Sequence, residues 1–217
     1  MIRKTIESGA QEIGINVTDE VIRQLEIYSQ ELLKWNRKIN LTAIINEKEI
    51  AVKHFIDALY FAECIADEEF VLDIGSGAGV PAIPLKIARP AVKVVSVDAV
   101  SKKIQFQKHV ARILELNKFD AIHARVESMH LEYAKQFDVI TSRAFSSLEQ
   151  FVKLSAPLLA DGGRLIAMKG PASAEEILNS EKTLKELGFQ VETIINYDLP
   201  FNNGKRCLIV VTCCKCK

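Results

Sequence analysis

The chain has 217 residues, 28 Lys and Arg balanced by 28 Asp and Glu, and a hydrophobic share of 48%. That composition excludes a disordered or fibrous chain, and no apolar run approaches the roughly 20 residues that span a bilayer. A formal charge of zero excludes broad electrostatic coating of nucleic acid, although one local basic face stays open.

Residues 1–66 read as helical. Met1–Glu7 has no apolar stretch of roughly 7–15 residues behind its charges, so no secretory signal is read and a cytoplasmic location is expected. Val21, Ile22, Leu25, Tyr28, Leu32, Trp35 and Ile39 form one apolar stripe at helical spacing, opened by Thr18 with Asp19 and Glu20 behind it. A second helix is expected from Asn46, with Asn46 and Glu49 at capping-box spacing and Val52, Phe55, Ile56, Leu59 and Phe61 facing inward. From Phe70 the texture changes. Short apolar runs at Phe70–Ile74, Val92–Val97, Phe119–Ala124, Phe137–Thr141 and Arg164–Met168 alternate with helical stretches near Val80–Ala88, Lys102–Asn117, Leu148–Leu159 and Ala174–Leu187. Ser101 and Ser173 are the expected caps, and Gly188 a stop. Such alternation predicts an α/β protein, a mainly parallel sheet covered on both faces. Gln190–Tyr197 and Arg206–Thr212 leave no room for a helix between them and should pair antiparallel. Five cysteines, Cys64, Cys207, Cys213, Cys214 and Cys216, read as reduced thiols. The tail Cys213-Cys214-Lys215-Cys216 lacks the second ligand pair of a closed zinc site, and no metal is expected.

The most informative segment is Val71-Leu72-Asp73-Ile74-Gly75-Ser76-Gly77-Ala78-Gly79-Val80-Pro81. A strand runs into alternating glycines and then a helix, and the next strand ends at Asp98, where a carboxylate can accept from both hydroxyls of a ribose. Together these indicate an adenosine-containing ligand. The ligand does not look like a dinucleotide. Val80 holds the place of the third dinucleotide glycine, Pro81 and Pro84 cannot donate N–H groups to a pyrophosphate, and Asp73 would repel one. A ligand with a sulfonium and an ammonium and no phosphate fits better, namely S-adenosylmethionine.

Lys34-Trp35-Asn36, Asn40-Leu41-Thr42, His54–Leu59, Asp73–Pro84, Arg125-Val126-Glu127, Ser142-Arg143-Ala144-Phe145 and Lys169-Gly170 extend the pattern over nearly the whole chain. With these motifs the sequence resembles the RsmG (GidB) family, ribosomal RNA small subunit methyltransferase G. The resemblance implies S-adenosylmethionine-dependent methylation of guanine N7 in a loop of 16S ribosomal RNA. It also implies the class I methyltransferase fold: Rossmann-like, a mostly parallel seven-stranded sheet with an antiparallel last strand, here behind an N-terminal helical extension. A helical cap over 1–66 and a methyltransferase core over 67–217 are the expected units. Carried over residue by residue, the resemblance puts cofactor contacts at Gly75, Val80, Val126, Glu127 and Arg143. Loop and ribose logic adds Gly77, Gly79 and Asp98. The cysteine-rich tail departs from the family.

Guanine N7 attacks through an in-plane lone pair and has no proton to lose, so no general base is needed and positioning can supply most of the rate. No catalytic residue is assigned except the candidate Arg143, which would hold the methionine carboxylate or an RNA phosphate. Phe145 could stack on an extruded base. Lys102, Lys169 and Arg206 join it as RNA-binding candidates. His54 and Asp57, one helical turn apart, could orient the N-terminal helices. The expected partner is 16S ribosomal RNA within the small subunit, met by a monomer. The rival readings are a methyltransferase acting on a small molecule, a nicotinamide-dependent oxidoreductase, and a non-enzymatic RNA-binding factor.

Overall fold

The computed structural model describes every residue except 144, 146, 172, 173 and 215–217, and of 174–176 only the backbone. The expected cap at Ser173 and the tail thiol Cys216 therefore lie outside the described residues.

Helix α1 (Ile2–Glu12) leads to α2 (Asp19–Asn36), whose N-terminus is closed by Thr18 accepting from Val21 N. Asn46 caps α3 (Glu47–Ile50) by accepting from the amides of Lys48 and Glu49. Glu49 does not return the bond as a capping box would, because its carboxylate pairs with Lys53. The chain then widens into a π-helical turn, Ala51–Ile56, before α4 (Asp57–Ala62). Helical periodicity cannot reveal such a turn, which inserts one residue into an otherwise regular pattern.

Seven strands follow: β1 (Phe70–Ile74), β2 (Lys93–Asp98), β3 (Phe119–His123), β4 (Phe137–Ser142), β5 (Leu159–Lys169), β6 (Phe189–Asp198) and β7 (Lys205–Cys213). They lie in the order β3-β2-β1-β4-β5-β7-β6. The first five are parallel, and β7 runs antiparallel to both β5 and β6. The seven-stranded, mostly parallel sheet expected from the sequence is thus present. The helices between strands are α5 (Ala82–Ala88), α6 (Ser101–Ile113), α7 (Leu148–Ser155) and α8 (Ala174–Glu186). Ser101 does not cap α6. It is the first helical residue, and the Asp98 carboxylate accepts from the preceding Val100 N instead.

Neighbouring side chains on a strand face opposite sides, and the sheet uses both. Leu72, Val95, Ile140 and Leu165 pack with α7 and Leu184 of α8. Val71, Val94, Val139 and Ile166 pack with Phe61 and Ala62 of α4 and Leu85 of α5. The N-terminal helices form a further layer on this second side. Leu25, Tyr28 and Leu32 of α2 share one apolar cluster with Ile83 of α5 and Phe106 and Val110 of α6. Segment 1–66 therefore touches the helices next to the glycine loop rather than lying apart from them. Among the described residues no helix is long and apolar enough to cross a membrane.

Candidate active site

Because β1 and β2 are parallel, the loop after β1 and Asp98 at the end of β2 meet on one edge of the sheet. Gly75, Gly77 and Gly79 all have positive φ, at 69°, 60° and 91°, a region that glycine enters without strain. A Cβ on Gly79 would stand 2.5 Å from the Ile83 side chain, whereas one on Gly77 would project into open space. The bare Gly77 backbone thus forms the floor of an open cradle. Asp98 borders it, with Oδ2 accepting from Gly77 N at 2.9 Å and Oδ1 from Val100 N at 2.8 Å. Each oxygen keeps a second lone pair for a hydroxyl.

The first turn of α5 leaves nothing for a phosphate. Pro81 and Pro84 lack an N–H, Ala82 N donates to Asp73, and Ile83 N donates to the Gly79 carbonyl. Asp73 itself is fully buried, and its Oδ1 accepts no hydrogen bond from any described residue. Burial pushes its carboxyl up to about 7, with Asp98 adding to the rise and Ala82 N–H and Arg143 opposing it. An orphaned buried carboxylate beneath an open glycine cradle calls for a cation. These residues fit an adenosine ligand carrying positive charge and do not fit a dinucleotide.

Two side chains outside the loop fix its shape. Gln107 of α6, fully buried, donates from Nε2 to Ser76 Oγ at 2.8 Å and to Gly77 O at 2.9 Å, while its Oε1 accepts from Ser96 Oγ. The Tyr28 hydroxyl of α2, also fully buried, donates to Ala78 O at 2.7 Å. Neither was anticipated from the sequence, where Tyr28 reads as one member of an apolar stripe.

Arg143 follows β4 directly and has partners that the sequence does not suggest. Its Nη1 donates to Lys53 O at 3.0 Å and lies 3.5 Å from Asp57 Oδ2, and its Nη2 donates to His54 Nδ1 at 3.3 Å. The π-helical turn presents the first and third of these groups. His54 is buried, and desolvation, reinforced by the Arg143 charge, lowers its pKa to about 4. The imidazole is therefore neutral at pH 7. A guanidinium can only donate, so Nδ1 is the acceptor and Nε2–H donates to Thr42 Oγ1 at 3.0 Å. Asn36 holds the Thr42 segment by accepting from Leu41 N and Thr42 N and donating to Thr42 O. On its far side Asp57 accepts from the Tyr197 hydroxyl at 2.6 Å, and Arg206 Nε lies 3.9 Å away. Burial raises the Asp57 carboxyl, and Tyr197 and the two arginines hold it down. The scattered motifs around Asn36, Thr42, His54, Asp57 and Arg143 are thus one network.

Arg143, Phe145, Lys169 and Arg206 line a cavity of about 450 Å³, together with Lys53 and Asp57. Lys102 does not line it. It is exposed on the first turn of α6, and its neighbour Lys103 approaches Asp98 at 3.6 Å instead. Phe145 leans on Phe151, with ring centroids 5.6 Å apart, and is only part of the cavity wall. Val126 is buried and Glu127 exposed in a short 3-10 turn that follows β3; Ala124 N just before it donates to Asp98 O. A larger cavity of about 690 Å³, between α1 and the Asn46–Val52 turn, contains none of these groups.

The family profile described as GidB, rRNA small subunit methyltransferase G, matches residues 21–202. The chain belongs to this family. A protein named ribosomal RNA small subunit methyltransferase G from Geobacter sulfurreducens is 43% identical over 97% of each chain. Its namesake from Geobacter metallireducens is 45% identical over 94% of this chain and 92% of its own. The fold is similar to that of TYW2 from M. jannaschii in complex with AdoMet, at TM-score 0.56 and 16% identity over 71% of this chain and 72% of that one. It is also similar to a ribosomal protein L11 methylase from Lactobacillus delbrueckii subsp. bulgaricus, at TM-score 0.54 and 17% identity over 74% and 78% of the two chains. At such identities these structures establish the fold alone. As a member of the rRNA small subunit methyltransferase G family, the chain is an S-adenosylmethionine-dependent methyltransferase.

In this setting the Tyr28 bond has a measurable consequence. Tyr28→Phe is expected to cost about 1 kcal/mol of stability and to weaken S-adenosylhomocysteine binding a few-fold. Denaturant melts and calorimetric titration check the two effects. An unchanged dissociation constant would show that the loop keeps its shape without the hydroxyl.

Proposed function

We propose that the chain transfers a methyl group from S-adenosylmethionine to N7 of a guanine in 16S ribosomal RNA. When bound, S-adenosylmethionine supplies an electrophilic methyl on a positively charged sulfur. Asp98 receives the ribose hydroxyls, and the Gly75–Gly79 loop lets the backbone come close to the ligand. Asp73 offers negative charge beneath the loop, and Val126 and Glu127 stand beside the end of β3, where an adenine edge would be met. Arg143 divides the cofactor side from the cavity of Phe145, Lys169 and Arg206, which takes the RNA. No side chain has to remove a proton, because guanine N7 carries none.

The observation that carries this reading is Asp73, buried with an unpaired oxygen under a glycine loop whose following helix has no N–H left for phosphate. The same helix start speaks against a nicotinamide cofactor. The helical layer over residues 1–66 serves as a cap on the methyltransferase core over 67–217. The chain works as a monomer in the cytoplasm on the small ribosomal particle. With equal numbers of basic and acidic residues it carries little net charge for naked RNA. The test is incubation of labelled methyl donor with small subunits that lack the modification, followed by nucleoside analysis. Label in 7-methylguanosine from the 16S chain is the expected result. Label in another nucleoside, or none, overturns the reading.

A further inference from the structure

Four of the nine residues that line the cavity at the sheet edge carry donor side chains. Lys53, Arg143, Lys169 and Arg206 all face it. Its one lining carboxylate, Asp57, is 3% exposed and already accepts from Tyr197. Guanine and adenine both present N7. They differ beside it: guanine carries the acceptor O6, and adenine carries an amine that donates. A donor left available in this cavity receives the first and faces an amine in the second.

Among these donors Arg143 is turned inward, to Lys53 O and His54 Nδ1. Arg206 is placed differently. It lies opposite Tyr197 near the start of β7, one residue before Cys207, which pairs with Lys169 at the end of β5. Its Nη1 donates to Lys205 O, its Nε faces Asp57 Oδ1 at 3.9 Å, and its Nη2 has no acceptor among the described residues. The Lys205 carbonyl and the Asp57 ion pair thus hold the head of the side chain, Tyr197 acting only through the Asp57 oxygen it donates to, while one edge stays available.

We propose that Arg206 is a specificity-determining residue that donates to O6 of the target guanine, with Asp57 and Tyr197 as the residues that position it. The proposal rests on the guanine N7 reading above and deepens it by naming what tells guanine from adenine.

The test uses small subunits rebuilt with 16S RNA that carries guanine, inosine, 2-aminopurine or adenine at the mapped target nucleotide. Inosine keeps O6 and lacks the amine at position 2; 2-aminopurine lacks O6. The unaltered protein is expected to methylate inosine within a few-fold of guanine and to lose about tenfold or more in kcat/KM on 2-aminopurine and adenine. Arg206→Ala is expected to bring guanine down to the level of 2-aminopurine, with KM for S-adenosylmethionine unchanged. Equal methylation of guanine and 2-aminopurine by the unaltered protein overturns the proposal, and this series does not depend on the variant folding. An Arg206→Ala protein that keeps the full preference for guanine over 2-aminopurine overturns it too. If guanine itself takes no label, it is the function reading that fails.

Discussion

Arg143→Ala is expected to lower kcat/KM by at least about a hundredfold and to cost about 3 kcal/mol of stability. The two effects have separate causes. Removing the guanidinium takes a fixed positive group from between the proposed cofactor side and the cavity proposed to take the RNA, which is the expected catalytic loss. It also leaves Asp57 buried without its nearest cation at 3.5 Å, and leaves His54 Nδ1 and Lys53 O without a donor. Taking one member from a buried charged pair is more damaging than never having had the pair. Urea melts and steady-state kinetics on unmodified small subunits measure the two. Arg143→Lys keeps the charge but cannot span His54 and Lys53 O together, and should recover stability more than rate. A wild-type melting curve for Arg143→Ala would show that Tyr197 and Arg206 satisfy Asp57 without it.

The second large effect concerns Asp73. Its carboxyl, held at about 7 chiefly by burial, is mostly protonated at pH 6 and mostly ionised at pH 8. A cationic ligand favours the ionised form. Affinity for S-adenosylmethionine should therefore rise by about tenfold between those pH values, with proton release on binding. In the free protein the sign is opposite. The folded state keeps a proton that the unfolded chain has already lost, so the contribution of Asp73 to folding declines as pH rises from about 4 to 7. Calorimetric titrations at several pH values and in buffers of different ionisation enthalpy check both the slope and the proton count. Asp73→Asn should bind more weakly at pH 8 and flatten the profile, any slope that remains belonging to the ligand's own amino group. An unaltered slope in Asp73→Asn would remove Asp73 from the site.

The sheet was legible because each strand is an apolar run with punctuation at both ends. All seven segments lie where hydrophobic patterning puts them, with ends displaced by a residue or two. The exception is β5, which begins five residues early at Leu159, directly after the 3-10 turn Ala156–Leu158 that follows α7. The glycine loop and Asp98 were legible for a different reason: their meaning depends on local backbone and on one parallel pairing. What stayed hidden is long-range. Tyr28 reaches Ala78 across 50 residues, Arg143 reaches Lys53 across 90, and Tyr197 reaches Asp57 across 140. A structural reason for an arginine at 143 could not be seen without knowing that the π-helical turn passes over the end of β4. Lys102 reads from the sequence as an RNA-binding candidate at the same sheet edge as Arg143 and Lys169, yet it does not line the cavity that holds those two. It is exposed on the first turn of α6. Gln107 gave no signal, since one amide in an amphipathic helix is ordinary.

The widened turn at Ala51–Ile56 amounts to a helix with one surplus residue. An α-helix advances about 100° per residue, so trimming a single position from this turn would swing Asp57 and everything after it about the axis while leaving Asn46 and Ile50 where they are. Arg143 would then lose either the carbonyl and imidazole before the cut or the carboxylate beyond it. Lys53 and His54 stand four and three residues before Asp57, close enough for one guanidinium to be gripped from two successive turns, and the extra residue works as a phase shifter that sets how this gripping face is turned relative to residues 46–50.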